Sequence, residues 1–232
     1  MNIYNSPDLY DAIHKNYIWD NRLIKNMASK SGGPVLELAS GTGRLTKIII
    51  DLKLDYTGID LSDAFIKKAK KNFSNGAKFY LENMQNFNLL KKFKFIFIGF
   101  NSFLHNLTDK SAKSCLSCVY KHLDSKGLFL ISLYIPNPSF LFREPNKLYS
   151  ATDYFLFNGN KCRIMEKNNF DQKTQINELT WYLEKNGVLQ KENYNFSQRM
   201  YYPHMMDLLF NYSGLKIKEK LGDYDGSPMD SD

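Results

Sequence analysis

Cysteine is scarce in this chain, with three in 232 residues, an odd count. Cys115 and Cys118 form a C-x-x-C, but on a stretch that reads as helix and without a second Cys or His pair nearby. A zinc site needs about four ligands. The pair therefore reads as two buried helical thiols, and no metal is expected. No apolar run reaches the ~18 residues of a transmembrane helix. The opening residues Met1-Asn2-Ile3-Tyr4-Asn5 lack the charged-then-apolar form of a signal peptide. These absences predict a cytoplasmic protein with no membrane partner. Long basic runs and aromatic interleaving are missing too, although Lys and Arg outnumber Asp and Glu by 31 to 24, a net charge of +7. The densest group, Lys67, Lys68, Lys70 and Lys71, reads as a solvated helix face, so nucleic acid is not an expected partner.

Apolar and aromatic residues are plentiful, at 43% and 15%, and the length suits one α/β domain with an elaboration. The chain is organised around Val35-Leu36-Glu37-Leu38-Ala39-Ser40-Gly41-Thr42-Gly43-Arg44-Leu45. A short apolar run ends in a turn of small residues, and Leu45, Ile48, Ile49 and Leu52 then recur at helical spacing. That is strand, tight turn, helix. Gly41 and Gly43 can take φ > 0 and carry no Cβ, so a ligand can lie against the backbone. A helix behind the turn aims its free N–H groups and positive dipole end at the same spot, which suits a nucleotide-like ligand.

A dinucleotide fingerprint would place a third small residue where this chain has Thr46, which disfavours NAD. Glu37, four positions before Gly41, suits a ligand that carries a cationic amine. The stretch resembles motif I of the class I S-adenosylmethionine-dependent methyltransferases, acid-x-G-x-G-x-G, with Ala39 at the first glycine. The resemblance implies an α/β fold, a Rossmann-like doubly wound, mostly parallel sheet in methyltransferase order. It also implies S-adenosyl-L-methionine as cofactor, with Glu37, Ala39, Gly41 and Gly43 at its methionine end.

The rest of the chain extends this frame. Residues 1–30 read as helices, with Leu9, Ile13 and Tyr17 and then Trp19, Leu23 and Met27 at helical spacing. Their aromatics read either as packing of this helix pair on the sheet or, as the resemblance implies, as a lid, with Tyr10 toward the substrate and Tyr17 toward the cofactor. The core is expected over 31–140. Strand one is 34–38. Strand two, 56–60, ends in Asp60, about twenty residues after Glu37 and so placed for the ribose hydroxyls. Ser62 reads as N-cap of a helix over 63–73, and Leu61 as cover for the adenine. Strand three is 77–81. After it Glu82-Asn83-Met84 resembles the family's G-D-M turn, with Asn83 accepting from the adenine amino group and Met84 against the base. Strand four is 93–98. Beyond it Phe100 should face the cofactor, and Asn101 and His105 the acceptor; His105 is the only histidine assigned to this rim, and reads either as the candidate base or as a capping or packing residue at the start of the next helix. A helix over 109–122, a turn over 123–127 and a buried strand five over 128–134 follow. Asn137-Pro138-Ser139-Phe140 reads as a loop.

From 146 to 198 alternating runs with Asn158-Gly159 and Asn186-Gly187 turns predict an inserted antiparallel sheet of three or four strands after strand five. Its expected work is substrate shaping or dimerisation. Residues 199–232 return to the core: Tyr201 and Tyr202 beside the substrate, a helix over 204–212 and strand six over 215–221. Met200-Tyr201-Tyr202-Pro203, Ser213-Gly214-Leu215 and Gly222 to Pro228 are similar to the end of small-molecule methyltransferases such as sugar-amine N-methyltransferases. Those add a further strand, antiparallel between strands five and six. Residues 223–232 lack the β-branched run such a strand needs, so they are expected to be a loop leading toward a strand that the sequence does not include. The functional expectation is methyl transfer from S-adenosyl-L-methionine to a small-molecule N or O acceptor. The rivals are a methyltransferase acting on RNA or protein, and a cofactor-binding homologue without catalysis.

Overall fold

The computed structural model describes residues 1–135 and 137–229. Strands β1 (Val35–Leu38), β2 (Tyr56–Asp60), β3 (Ala77–Leu81), β4 (Phe93–Ile98) and β5 (Leu123–Ile131) form one sheet in the order β3-β2-β1-β4-β5. All four pairings are parallel. Helices α1 (Pro7–His14) and α2 (Asn21–Ser31) precede the sheet, and α3 (Thr46–Asp51), α4 (Asp63–Asn72) and α5 (Asp109–His122) connect its strands.

Both faces of the sheet are covered, which is why its central strands are apolar at nearly every position. Leu36, Leu38, Ile96 and Ile98 pack on one side with Leu104, Leu116 and Val119. Val35, Phe95 and Phe97 pack on the other with Ile24, Ala28, Ile49 and Ile66. Cys115 and Cys118 are buried thiols on α5, as their spacing suggested. Strand order reverses between β1 and β4. The crevice beyond the carboxyl ends of those strands is where an open α/β sheet receives its ligand.

The region 123–127, expected to be a turn, instead begins β5. Leu123 pairs with Phe93 and Leu128 with Phe95, so the extra residues are absorbed as an irregularity of the ladder. Asn137 to Phe140 is not a loop either. Pro138 opens a one-turn helix, α6 (Pro138–Leu141), whose N-cap Asn137 accepts the Ser139 N–H.

The insertion is antiparallel, as expected, and has five strands rather than three or four: β6 (Tyr149–Ser150), β7 (Phe155–Phe157), β8 (Asn160–Asp171), β9 (Ile176–Lys185) and β10 (Val188–Arg199). They run in the order β10-β9-β8-β6, with β7 also paired to β8. Asn158, Gly159, Asn186 and Gly187 all have positive φ, the conformation a tight hairpin turn of this handedness requires.

One expected strand is absent. After α7 (Pro203–Ser213), residues 215–220 have no regular structure, and Leu221 makes only an isolated bridge to Pro228. Lys216, Lys218 and Lys220 alternate with half-apolar positions, so this stretch needs a ladder partner to become a strand. Among the described residues no strand pairs with it, and β5 is the edge of the parallel sheet. Residues 223–229 form a loop, as expected; 230–232 lie outside the described residues.

Candidate functional site

The turn after β1 carries three left-handed residues, Ala39 (φ 56°), Gly41 (58°) and Gly43 (89°). Alanine at the first of these positions does adopt φ > 0, and an L-residue there bears about 1–2 kcal/mol of strain. The two glycines serve different ends. A Cβ on Gly41 would meet only the Phe65 ring, at 3.8 Å, so this backbone faces open space. A Cβ on Gly43 would strike the Phe73 ring at 2.8 Å and Thr46 Oγ1 at 2.9 Å. Packing alone demands glycine at 43.

Asp60 stands opposite the turn. Its Oδ2 accepts the Gly41 N–H and its Oδ1 the Ser62 N–H, both at 2.8 Å. Burial raises its pKa, and those N–H groups oppose the rise. Each oxygen keeps a lone pair, which is what a vicinal diol needs. Ser62 caps α4 by accepting the Phe65 N–H. Leu61 beside it is 71% exposed, with its side chain free on the flank of β2. Asn83 Oδ1 is partly engaged, accepting the Gln85 N–H at 2.9 Å. Met84 packs against the core and receives a long contact from the Asn106 amide.

Glu37 is buried beneath the turn. The Tyr56 hydroxyl donates to its Oε2 at 2.5 Å. Burial lifts its carboxyl to about 8, against the pull of Tyr56 and Arg44. No described cation lies within ion-pair distance of it. Arg44 is committed elsewhere, with two hydrogen bonds to Asp20 at 2.8 and 2.6 Å and a third to the Tyr17 carbonyl. A ligand ammonium would supply the partner that Glu37 lacks, so the residues present fit a cofactor with an amino-acid end.

The N-terminal residues cover this crevice. Thr42 in the glycine turn donates to Asp11 at 2.5 Å, and Lys68 on α4 pairs with Asp8 and Asp11. Tyr10 packs on Phe65 and His14, with ring centroids at 4.9 and 4.4 Å. Tyr17 packs edge-on against Phe100 at 4.4 Å under the Arg44 guanidinium, and its hydroxyl donates to that of Tyr224. Phe100 and Asn101 both have positive φ. Asn101 Oδ1 accepts the Tyr134 N–H at 2.7 Å, tying this rim to the end of β5.

Three expectations are corrected by the geometry. His105 is not a free base. Its Nδ1–H donates to the Ser197 carbonyl at 3.2 Å, which leaves Nε2 to accept from the Tyr4 hydroxyl at 2.9 Å. Burial lowers its pKa, with the Ser197 bond opposing. Nor is it the only histidine here. His14 lies on α1, 4.7 Å from the Phe100 ring, and burial followed by the Arg44 charge lowers it to about 4. Tyr201 is 2% exposed, packs on Phe103 and donates to the Asn106 carbonyl, so it belongs to the core and not to a substrate wall. Tyr202 is half-buried at the start of α7, stacked on His204. Sequence reasoning missed Tyr4, His14 and the Asp20–Arg44 pair. Only Arg44, next to the glycine turn, carried a local signal.

Residues 35–127 match the model of a family described as a methyltransferase domain. No curated protein matches the chain by sequence. Among solved structures, the CcbJ methyltransferase from Streptomyces caelestis is similar at 20% identity, with a TM-score of 0.80 over 99% of this chain and 93% of that one. An S-adenosylmethionine-dependent methyltransferase from Clostridium acetobutylicum ATCC 824 is similar at 18% identity, with a TM-score of 0.78 over 99% and 95%. CalS10, an amino pentose methyltransferase from Micromonospora echinaspora, is similar at 14% identity, with a TM-score of 0.73 over 97% and 94%. Likeness at these identities is likeness of fold, and it extends through the inserted sheet.

Proposed function

We propose that this chain, whose residues 35–127 match the model of a methyltransferase domain, transfers a methyl group from S-adenosyl-L-methionine to an amine of a small molecule. The observation that carries the reading is the buried Glu37 carboxylate without a cation, set below an open glycine turn whose Gly41 N–H is fixed by Asp60. Glu37 would take the cofactor's ammonium, Asp60 its ribose hydroxyls, and Leu61, Asn83 and Met84 would flank the base. Tyr17 and Phe100 would close over the methionine end. When bound, the cofactor supplies a sulfonium methyl: its bond to the acceptor forms as the sulfur–methyl bond breaks, S-adenosyl-L-homocysteine leaves, and the acceptor's surplus proton passes to water.

The protein's own part is to hold the acceptor in line and to keep water out. A neutral amine needs no base, whereas a hydroxyl needs one. Among the described residues the rim offers no free strong base. His105 has both ring nitrogens engaged, and His14 is held neutral and weakly basic. That favours nitrogen as the atom methylated. CalS10 and KedS8, whose descriptions name an amino pentose methyltransferase and a sugar N-methyltransferase, share this fold and support the same choice. An RNA acceptor is disfavoured because part of the lysine cluster is tied up, Lys67 with Asp63 and Lys68 with Asp8 and Asp11. Calorimetry with S-adenosyl-L-methionine, followed by mass spectrometry of a panel of amines and alcohols, tests the reading. Absence of cofactor binding would overturn it, and transfer confined to alcohols would overturn the choice of nitrogen.

A further inference from the structure

A cavity of about 300 Å³ lies between the end of β5 and the inserted sheet. Its wall is almost entirely carbon, supplied by Tyr134, Phe140, Leu179, Trp181 and Phe196. The volume is at the small end for ligand sites, enough for one or two rings. Asn137 and Gln198 add neutral amides to its border, and the other polar groups there, Glu166 and Tyr134, already have partners. Glu166 Oε2 accepts the Trp181 Nε1–H at 2.7 Å, and its Oε1 faces Arg143 at 3.3 Å. The Tyr134 hydroxyl faces Gln198 Oε1 at 3.4 Å and Met200 Sδ at 3.2 Å. Among the described residues Glu166 is the only carboxylate lining the cavity, and no cation lines it. Arg143, the nearest one, is held between Glu166 and the rings of Phe140 and Tyr149, with its guanidinium 4.7 and 4.6 Å from their centroids.

The cavity adjoins the cofactor crevice through an aromatic seam. The Trp181 ring lies 6.3 Å from that of His14, and His14 lies 4.7 Å from Phe100. Phe196, on the cavity wall, lies 6.4 Å from His105 and 6.3 Å from Tyr4. A molecule seated here would have one end directed at the place where the reactive methyl is expected.

We propose that this cavity holds the body of the acceptor, and that the acceptor is an amine borne on an apolar ring without phosphate or other acidic groups. The inference rests on the methyl-transfer reading. A nucleotide-linked amino sugar would bring a diphosphate to a wall whose one charge is a carboxylate and whose neighbouring cation is already paired. Burying an unpaired anion in such a place is strongly unfavourable. An aromatic or alicyclic ring, in contrast, meets rings on several sides.

The chain has two tryptophans, Trp181 on the wall and Trp19, which is 70% exposed. In a Trp19→Phe background Trp181 is therefore the sole reporter of occupancy. The probes are 2-phenylethylamine, cyclohexylamine, D-glucosamine and thymidine diphosphate, titrated with S-adenosyl-L-homocysteine present. Expected is saturable quenching by the two apolar amines, at least tenfold tighter than by the other two. Leu179→Phe, which fills the cavity, should weaken the apolar probes tenfold or more while cofactor affinity, measured by calorimetry, is unchanged. If that variant loses cofactor affinity as well, Phe196→Leu replaces it, and the same amines should then bind at least threefold weaker. Tighter quenching by thymidine diphosphate, no saturable quenching by either apolar amine, or unchanged affinity in the cavity variant would overturn the inference. Absence of cofactor binding with normal quenching would overturn the methyl-transfer reading alone.

Discussion

The Tyr4 hydroxyl donates to Nε2 of His105 across 2.9 Å, and so occupies the lone pair that a general base would use. Both side chains are partly buried, and the other ring nitrogen of His105 is bound to the Ser197 carbonyl on β10. The histidine joins the N-terminal residues, the rim after β4 and the inserted sheet.

His105→Ala should therefore act on stability more than on turnover. It strands the partly buried Tyr4 hydroxyl and Ser197 carbonyl, at up to about 1–3 kcal/mol for each unsatisfied group. Urea denaturation should show that loss, and kcat per folded molecule with an amine acceptor should fall less than tenfold. A ~10²-fold or larger fall in kcat at unchanged stability would restore His105 as a base.

Asp60→Ala should weaken S-adenosyl-L-methionine binding tenfold or more. Two charge-assisted hydrogen bonds to the ribose would be lost, each worth about 1.5–3 kcal/mol, and the Gly41 N–H would lose the partner that fixes the turn. Calorimetry giving equal affinity for the variant would remove Asp60 from the site.

Ala39→Gly is an expected stabilisation in a conformation that glycine adopts freely. The strain of an L-residue at φ 56° is about 1–2 kcal/mol, and part of the gain is offset by the greater freedom of glycine in the unfolded chain. A net gain of about 0.5–1 kcal/mol by chemical denaturation is expected. A less stable variant would show that the alanine methyl contributes packing that outweighs the strain.

The raised Glu37 carboxyl makes two pH predictions. Its folded pKa of about 8 stands above its ordinary 4.5, so between those values the folded protein keeps a proton that the unfolded chain releases. Stability on this account is full at low pH and declines as pH rises through that window. Cofactor binding has the opposite sign, because an ammonium pairs with the ionised form. Affinity should rise from pH 6 to pH 8, by at most tenfold per unit, with proton release on binding. Glu37→Gln should flatten both dependences; a Gln variant with the same pH slope would assign it to another group.

What could be read from the sequence was local or periodic. Gly41 and Gly43, Asp60 at the end of its strand, Ser62 as a cap and the Asn-Gly hairpins all announce themselves within a few residues, and the structure places them as expected. Strand six was misread because Leu215, Ile217 and Leu221 punctuate a charged stretch in a strand-like rhythm. A strand also requires a neighbour, and no rhythm reveals whether one is there. Tyr201 and Tyr202 look equivalent in the sequence, yet one is in the core and the other half-buried at a helix start. His14, Trp181 and Glu166 escaped for a related reason. They come together only when α1 packs against the inserted sheet, across more than 150 residues of chain.

Tyr4 and Tyr17 find their partners far along the chain: Tyr4 at Ser62, His105 and Phe196, and Tyr17 at Tyr224. A ribosome makes these tyrosines first and Phe196 and Tyr224 near the end, and domains assemble as their segments emerge. The parallel strands from β1 to β5 can pair while the inserted sheet is still being made. The opening segment can lean on α4 early, but its contacts from Met1 to Asn193 and from Tyr4 to Phe196 wait until β10 has left the exit tunnel. Throughout that interval the seat of Tyr4 is incomplete, and the crevice beyond β1 and β4 lacks part of its roof. A stalled nascent chain that has released α5 but not β10 should therefore contain an assembled parallel sheet and bind S-adenosyl-L-methionine weakly, with tight retention of the cofactor arising only once translation has passed β10.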